Sequence, residues 1–164
     1  MTNDALRLPS TGTSHRALHT VLLAGCAAAT IDILFAFAFF GWQVGVTPTR
    51  VLQSVASGLY GRASYEGGLS TAAVGLLAHY FILIVAAWWY YLASRRIPAL
   101  NRHHVVCGVL FGLAIYVVMT FVIVPLSAAR MLPLTWNAVT IGQFLIHPVI
   151  GLAIAAIVRK RAEG

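Results

Sequence analysis

The sequence predicts an all-α integral membrane protein: a bundle of four transmembrane helices with a short amphipathic helix between helices 1 and 2. Two observations carry this prediction. The chain has 164 residues, of which 60% are hydrophobic and only 9% are charged, whereas soluble domains carry about 25% charged residues. Its apolar residues also fall into four long segments, which is the pattern of a multi-pass membrane protein.

These four segments are the predicted membrane-spanning helices of a single integral domain, residues 1–164. They cover residues 18–42, 69–94, 104–126 and 136–158. Each exceeds the roughly 20 apolar residues that a helix needs to cross a bilayer. Because lipid offers no hydrogen bonds to the backbone, a helix is the structure expected for such a segment.

A short helix is predicted over residues 48–62, in the long connection between the first two segments. Pro48 suits a first-turn position, and Thr47 before it is a suitable N-terminal cap. Apolar residues recur at helical spacing along one side, at Val51, Leu52, Val55 and Leu59. The pattern is typical of an amphipathic helix lying on the membrane surface, and a lid over a polar site is the alternative.

Basic residues predict the orientation of the chain, whose net charge is +7. In a four-pass arrangement eight share one side and three the other: Arg7, Arg16, Arg95, Arg96, Arg102, Arg159, Lys160 and Arg161 against Arg50, Arg62 and Arg130. The positive-inside rule then places both termini in the cytoplasm. Aromatic residues agree, with Trp42, Tyr60, Tyr65 and Trp136 at the outer interface and residues 88–91 at the inner one. The expected partner of this charge is the lipid bilayer and not nucleic acid.

Four polar residues lie inside the apolar segments, one in each: Asp32, His79, Tyr116 and His147. Counted from the nearest arginine at the basic side, their depths are about 24, 24, 21 and 18 Å at 1.5 Å per residue. We therefore expect all four at one level, as an intramembrane polar site. An ionisable residue at such depth is costly and usually has a partner or a function.

Neighbouring residues support the expectation that these side chains face other helices. Thr120 and Gln143 share helical faces with Tyr116 and His147, and Pro148 directly follows His147. Small residues recur on the same faces, which lets membrane helices approach closely. Proline removes a backbone hydrogen bond, so a local distortion of the fourth helix is expected beside His147.

Several functions remain open for this set. A site of Asp32 with two histidines suits the movement of protons or of a small solute, which is the leading interpretation. His79 and His147 could instead ligate a b-type haem, or bind a metal together with Asp32. A third hypothesis is a non-catalytic subunit or assembly factor whose small-residue stripes meet a partner helix or a second copy. A purely structural role in fixing helix register is the remaining alternative.

No soluble-enzyme motif is present, which makes an enzyme the less expected class.

Several segments resemble a family of small, uncharacterised bacterial inner-membrane proteins. The resemblance rests on residues 32–34, on RVLQSVASG at 50–58, on Gly67, Gly68 and His79, and on VPLS at 124–127. It implies a four-helix protein of the bacterial inner membrane. It implies no activity, substrate or cofactor, and no role for a particular residue.

Overall fold

The computed structural model describes residues 11–129 and 137–162, and nearly all of them are helical. The helices are α1 Thr11–Val44, α2 Pro48–Tyr60, α3 Gly68–Arg96, α4 Ala99–Arg102, α5 His104–Val118, α6 Val124–Leu126 and α7 Ala138–Ala162. A 3₁₀ turn, Gly61–Tyr65, follows α2. A π-helical segment, Met119–Ile123, joins α5 to α6.

Four helices are long and apolar enough to cross a membrane: His15–Val44, Gly68–Arg96, His104–Leu126 and Ala138–Arg161. The protein is therefore an all-α, multi-pass membrane protein with four spans and the short helix α2 between the first two, as the sequence predicts. The predicted start of the fourth span at residue 136, and Trp136 as an interface marker, lie outside the described residues. The same holds for Arg7 and Arg130 among the predicted topology signals.

The helix α2 begins as the sequence predicts, but it presents a different side to the protein. The side chain of Thr47 accepts a hydrogen bond from the Arg50 backbone N–H (3.3 Å), and Pro48 occupies the first turn. The buried residues are Val51, Gln53, Ala56 and Ser57, whereas Leu59 of the predicted apolar stripe is 61% exposed. In a membrane protein this is reasonable, because small and polar side chains pack on protein while large apolar ones face lipid.

The four spans stand in a row, because α3 packs on α1, α1 on α7, and α7 on α5. The loop end of the row is the end that carries α2. The basic end is the opposite one, where the described residues Arg16, Arg95, Arg96, Arg102, Arg159, Lys160 and Arg161 lie. The two edge spans, α3 and α5, contact each other little. They meet towards the basic end, where the rings of Tyr90 and Phe111 lie 4.9 Å apart.

Glycines set the distance between neighbouring helices, most clearly where α5 crosses α7. A Cβ atom added to Gly108 would lie 2.8 Å from the Ala155 Cβ, and one on Gly112 would overlap the carbonyl oxygen of His147. On α1, a Cβ on Gly25 would lie 2.5 Å from the Ile84 Cα of α3. Backbones in such close contact gain dispersion energy that longer side chains would prevent, which is how membrane helices associate without a hydrophobic driving force.

The buried apolar core fills only part of the bundle. Its members are Val21, Ala24, Ala28, Ala29, Leu83, Ala87, Tyr90, Ile115, Ile146, Ile150, Ile154, Ala155 and Val158. On every span these residues lie level with the four intramembrane polar residues or nearer to the basic end. The polar residues therefore mark the limit of the apolar core on the side that faces the loop end.

Candidate functional site

Asp32 of α1 and His79 of α3 form a buried pair across the helix interface. Asp32 Oδ2 lies 3.8 Å from His79 Nε2, and the two side chains are 21% and 9% exposed. This separation is within ion-pair range and longer than a hydrogen bond. A charge on either group is disfavoured in such apolar surroundings unless the other group compensates it.

A backbone carbonyl fixes the tautomer of His79. Its Nε2 lies 3.0 Å from the carbonyl oxygen of Ala29, one turn before Asp32 on α1. A carbonyl oxygen can only accept, so in neutral His79 the proton is on Nε2 and the lone pair is on Nδ1. The same contact holds the imidazole against α1 and beside the Asp32 carboxylate, so the backbone positions the ring before any charge forms.

Tyr116 of α5 and His147 of α7 form a second pair at the same level. Their ring centroids lie 5.2 Å apart in an edge-to-face arrangement, with an angle of 75° between the ring planes. His147 Nδ1 donates to the carbonyl oxygen of Gln143 (2.6 Å). The neutral ring therefore keeps its lone pair on Nε2, opposite to the assignment in His79.

The hydroxyl group of Tyr116 is buried without a hydrogen-bond partner among the described residues. The residue as a whole is only 5% exposed, and Phe144 packs its ring against the tyrosine ring at 5.4 Å. An unpaired buried hydroxyl is unfavourable by about 1–3 kcal/mol. The Tyr116 hydroxyl is thus a buried polar group that no described residue satisfies.

The four residues predicted from the sequence thus form two pairs on four spans, Asp32 with His79 and Tyr116 with His147. We call Asp32, His79, Tyr116 and His147 the polar cluster.

The three residues predicted as supporting take different positions. Thr120 lies in the π-helical segment, one turn beyond Tyr116 and partly exposed. Gln143 contributes its backbone carbonyl, and the residue itself is exposed. Pro148 lies inside α7, which continues through it. The proline cannot donate to the Phe144 carbonyl, so a helix irregularity lies beside the cluster on α7 as well as on the third span.

Sequence reasoning missed a second polar contact between α1 and α3. The hydroxyl groups of Thr30 and Tyr80 lie 2.8 Å apart, on residues that are close in sequence to Asp32 and His79. The Thr30 hydroxyl also donates to the carbonyl oxygen of Cys26 at 2.8 Å. The sequence does contain a signal for this contact, since an intramembrane threonine and an intramembrane tyrosine lie at matching depths on the two helices. Their contact fixes the register that brings Asp32 to His79.

To ligate a metal ion or a haem, the side chains of the polar cluster would have to leave the positions described above. Within residues 11–129 and 137–162, no three His, Cys, Asp or Glu side chains are grouped so that they could hold a metal ion. Ligation of haem by His79 through Nε2 would require that nitrogen to give up the Ala29 carbonyl. Haem binding through His79 and His147 stays a prediction, which an absorption spectrum of the purified protein would test.

The fold and the cluster together define a class: small four-span membrane proteins with an ionisable pair buried between spans. Comparison with protein-family models, with curated proteins and with solved structures gives no match. The resemblance noted in the sequence therefore receives no support as a family assignment. What stands is the four-span architecture and the Asp32–His79 pair.

Proposed function

We propose that this protein handles protons in the membrane, with the polar cluster taking up and passing protons, alone or coupled to a small solute. The observation that carries the proposal is the buried Asp32–His79 pair, with 3.8 Å between Asp32 Oδ2 and His79 Nε2. Two groups that can each gain or lose a proton, side by side inside a bundle, are the usual elements of intramembrane proton relays.

The position of the cluster supports this role over a purely structural one. Among the described residues Asp32 and Glu66 are the only acids, and Glu66 follows the 3₁₀ turn after α2, outside the spans. Interhelical hydrogen bonds in membranes stabilise by only about 0.6 kcal/mol on average. This gain is smaller than the cost of placing an aspartate inside the membrane, so fixing the helix register does not account for Asp32. A proton-transfer role, in which Asp32 is ionised during part of the cycle, therefore explains this residue better than a structural role does.

The cluster is separated from the basic end by the apolar core, which includes Leu83 and Ala87 on α3 and Ile150 and Ile154 on α7. A layer of this kind blocks water and ions in the state described. Exchange of protons is therefore expected from the loop end, and passage to the basic end requires a rearrangement of the spans. This asymmetry is typical of coupled transporters and not of open channels.

We further propose that the basic end faces the cytoplasm of a bacterial cell and that the spans cross its inner membrane. Seven described basic residues lie at the basic end, against Arg50 and Arg62 at the loop end. The positive-inside rule gives this orientation. Protons would then enter the cluster from the outer side.

The decisive experiment measures proton flux in liposomes that carry the purified protein and a trapped pH-sensitive dye. A potassium diffusion potential supplies the driving force. We expect protein-dependent flux that falls roughly 100-fold in Asp32→Asn, a typical effect of losing a positioned proton-transferring group. His79→Gln should lower the flux in the same direction.

Glu66→Gln is the matched control, because it removes the other described acid from a position outside the spans. Its flux should equal that of the wild-type protein. Circular dichroism and gel filtration of each variant establish that the fold is retained. Absence of protein-dependent flux in the wild type, or equal flux in Asp32→Asn, would overturn the proposal and leave the cluster with a structural role.

A further inference from the structure

The two edge spans of the row are α3 and the third span, which consists of α5, the π-helical segment and α6. We call the gap between these two spans the seam. Towards the basic end the edges meet through Tyr90 and Phe111, whose ring centroids are 4.9 Å apart, and α4 links them in sequence. At the loop end the described residues show no comparable direct contact between α3 and the third span. The seam between the edge spans can therefore open at the loop end while it stays closed at the basic end.

The helix α2 lies across this seam. On one side it docks firmly on α3: the carbonyl of Leu52 lies where a Cβ on Gly75 would be, and Gln53 Nε2 donates to the Gly68 carbonyl (3.0 Å). On the other side it reaches the end of the third span, where the backbone N–H of Ala128 donates to the carbonyl of Gly58 (3.0 Å). A helix attached to one edge by an extensive interface thus meets the other edge by a small one.

This unequal attachment indicates where the seam would part. The α2–α3 interface is extensive and includes four buried residues of α2. Among the described residues, the contact with the third span includes the Ala128–Gly58 hydrogen bond, the approach of Ser127 to Gly58, and the approach of the Ala128 carbonyl to Gly61 just after α2. Gly45, in the connection between α1 and α2, has a positive φ of 66°. Such a glycine changes backbone conformation at little cost, as a hinge requires.

The polar cluster lies one helical turn below the α2–α3 interface, on the side of the basic end. Gly75, against which α2 packs, is four residues from His79, which is about 6 Å along a helix. On the other side of the seam the Tyr116 hydroxyl is buried without a partner among the described residues. An opening that let water reach the level of the cluster would offer this hydroxyl a hydrogen-bond partner that it lacks among the described residues.

We propose that α2 is a gate for the polar cluster, which opens the loop end by separating from Ser127 and Ala128 while it stays docked on α3. The gate regulates the site of the proposed function, and in that sense it rests on that function. Its movement is nevertheless a physical claim that can be measured without proton flux.

The test locks the gate with a disulfide between Gly58→Cys and Ser127→Cys, in a protein whose native thiols are removed by Cys26→Ser and Cys107→Ser. A Cβ on Gly58 would lie 3.8 Å from the Ser127 Cβ, which matches the usual Cβ separation in disulfides. The reporter is Ala36→Cys, one turn from Asp32 towards the loop end and partly buried. A charged thiol reagent is added to open membrane fragments, so the result does not depend on orientation.

We expect the oxidised pair to slow labelling at position 36 by about tenfold or more, and reduction to restore it. Gly58→Cys and Ser127→Cys alone are the controls and should label as the reporter protein does under both conditions. Failure of the disulfide to form in folded protein, or equal labelling of the locked and reduced forms, would overturn the gate.

A second variant tests the gate in the opposite direction. Ala128→Pro removes the N–H that bonds to the Gly58 carbonyl, and the extended backbone of Ser127 (φ −81°, ψ 172°) suits a residue before proline. Labelling at position 36 should become faster, and unchanged or slower labelling would contradict the proposal. The proton-flux assay on the locked protein then separates the two claims: gated labelling without any wild-type flux retains the gate and removes the proton function.

Discussion

At the scale of single residues, the polar cluster combines a histidine held by a backbone hydrogen bond with a tyrosine hydroxyl that has no partner among the described residues. His79 is held by the Ala29 carbonyl at 3.0 Å and lies beside Asp32, so its orientation is fixed by the backbone. Tyr116 has no such partner among the described residues, although it is 5% exposed. The backbone therefore fixes the orientation of His79, whereas the Tyr116 hydroxyl is held only by the packing of its ring on Phe144 and His147.

Tyr116→Phe should stabilise the protein by about 1 kcal/mol or more, because the variant removes a buried hydroxyl without a partner and keeps the ring. Unfolding in mixed detergent micelles measures the change. If the proposed opening lets water reach this hydroxyl, the same variant should also slow thiol labelling at Ala36→Cys. Tyr60→Phe is the control, because Tyr60 is 52% exposed and its hydroxyl can reach water in the folded protein. A clear loss of stability in Tyr116→Phe would show that the hydroxyl has a partner.

At the scale of elements, the crossing of α5 and α7 depends on glycines that face backbone atoms. Gly112 lies against the carbonyl of His147, and Gly151 lies against Gly108 and Gly112. The GxxxG pattern Gly108–Gly112 is a weak signal in a sequence. Here it brings α5 close to the turn of α7 that carries His147 and Pro148, so the same contact that joins two spans also places one residue of the polar cluster.

Gly112→Ala should destabilise the protein by about 1–3 kcal/mol, a usual cost of overpacking. The added methyl group would overlap the His147 carbonyl, a backbone atom that cannot turn aside. Because the displacement would move His147, proton flux should fall as well. Gly41→Ala is the matched control on a membrane helix, since its new Cβ would meet only the Val46 carbonyl, at 3.7 Å. Equal stability of the two variants would contradict the close crossing.

At the scale of the whole molecule, the row of spans gives the two ends different properties. Spans adjacent in the row run antiparallel, and the basic end is closed by the apolar core and by the contact of Tyr90 with Phe111. At the loop end, α2 packs on α3 and meets Ser127 and Ala128. With the proposed gate, such a molecule would expose its polar cluster to one side of the membrane at a time.

The proposed orientation predicts which positions a membrane-impermeant thiol reagent reaches in intact cells. In the cysteine-free background, Ala63→Cys in the exposed turn after α2 should be labelled, and Ile97→Cys, at a position 50% exposed near the basic end, should be protected. Inverted membrane vesicles should reverse the pattern. The opposite result would show that the basic end faces outwards, against the positive-inside rule.

Much of this architecture follows from local physical rules that can be applied to the sequence alone. The number of spans follows from hydropathy and length, since lipid accepts only helices with satisfied backbones. The common depth of Asp32, His79, Tyr116 and His147 follows from the fixed rise of 1.5 Å per residue. The start of α2 follows from Thr47 and Pro48, because capping is a local interaction.

Other features depend on which helices become neighbours, and the sequence does not display that. Asp32 pairs with His79, and Tyr116 with His147, because α1 packs on α3 and α7 on α5. In the sequence, Gly75 is a small residue expected to face another span, yet in the structure it packs against α2. Hydropathy reports whether a residue prefers lipid or protein to water, which is a property of one residue at a time. The sequence by itself therefore determined the spans and the depth of the polar cluster, whereas only the packing of one helix against another decided its pairs and the helix that covers it.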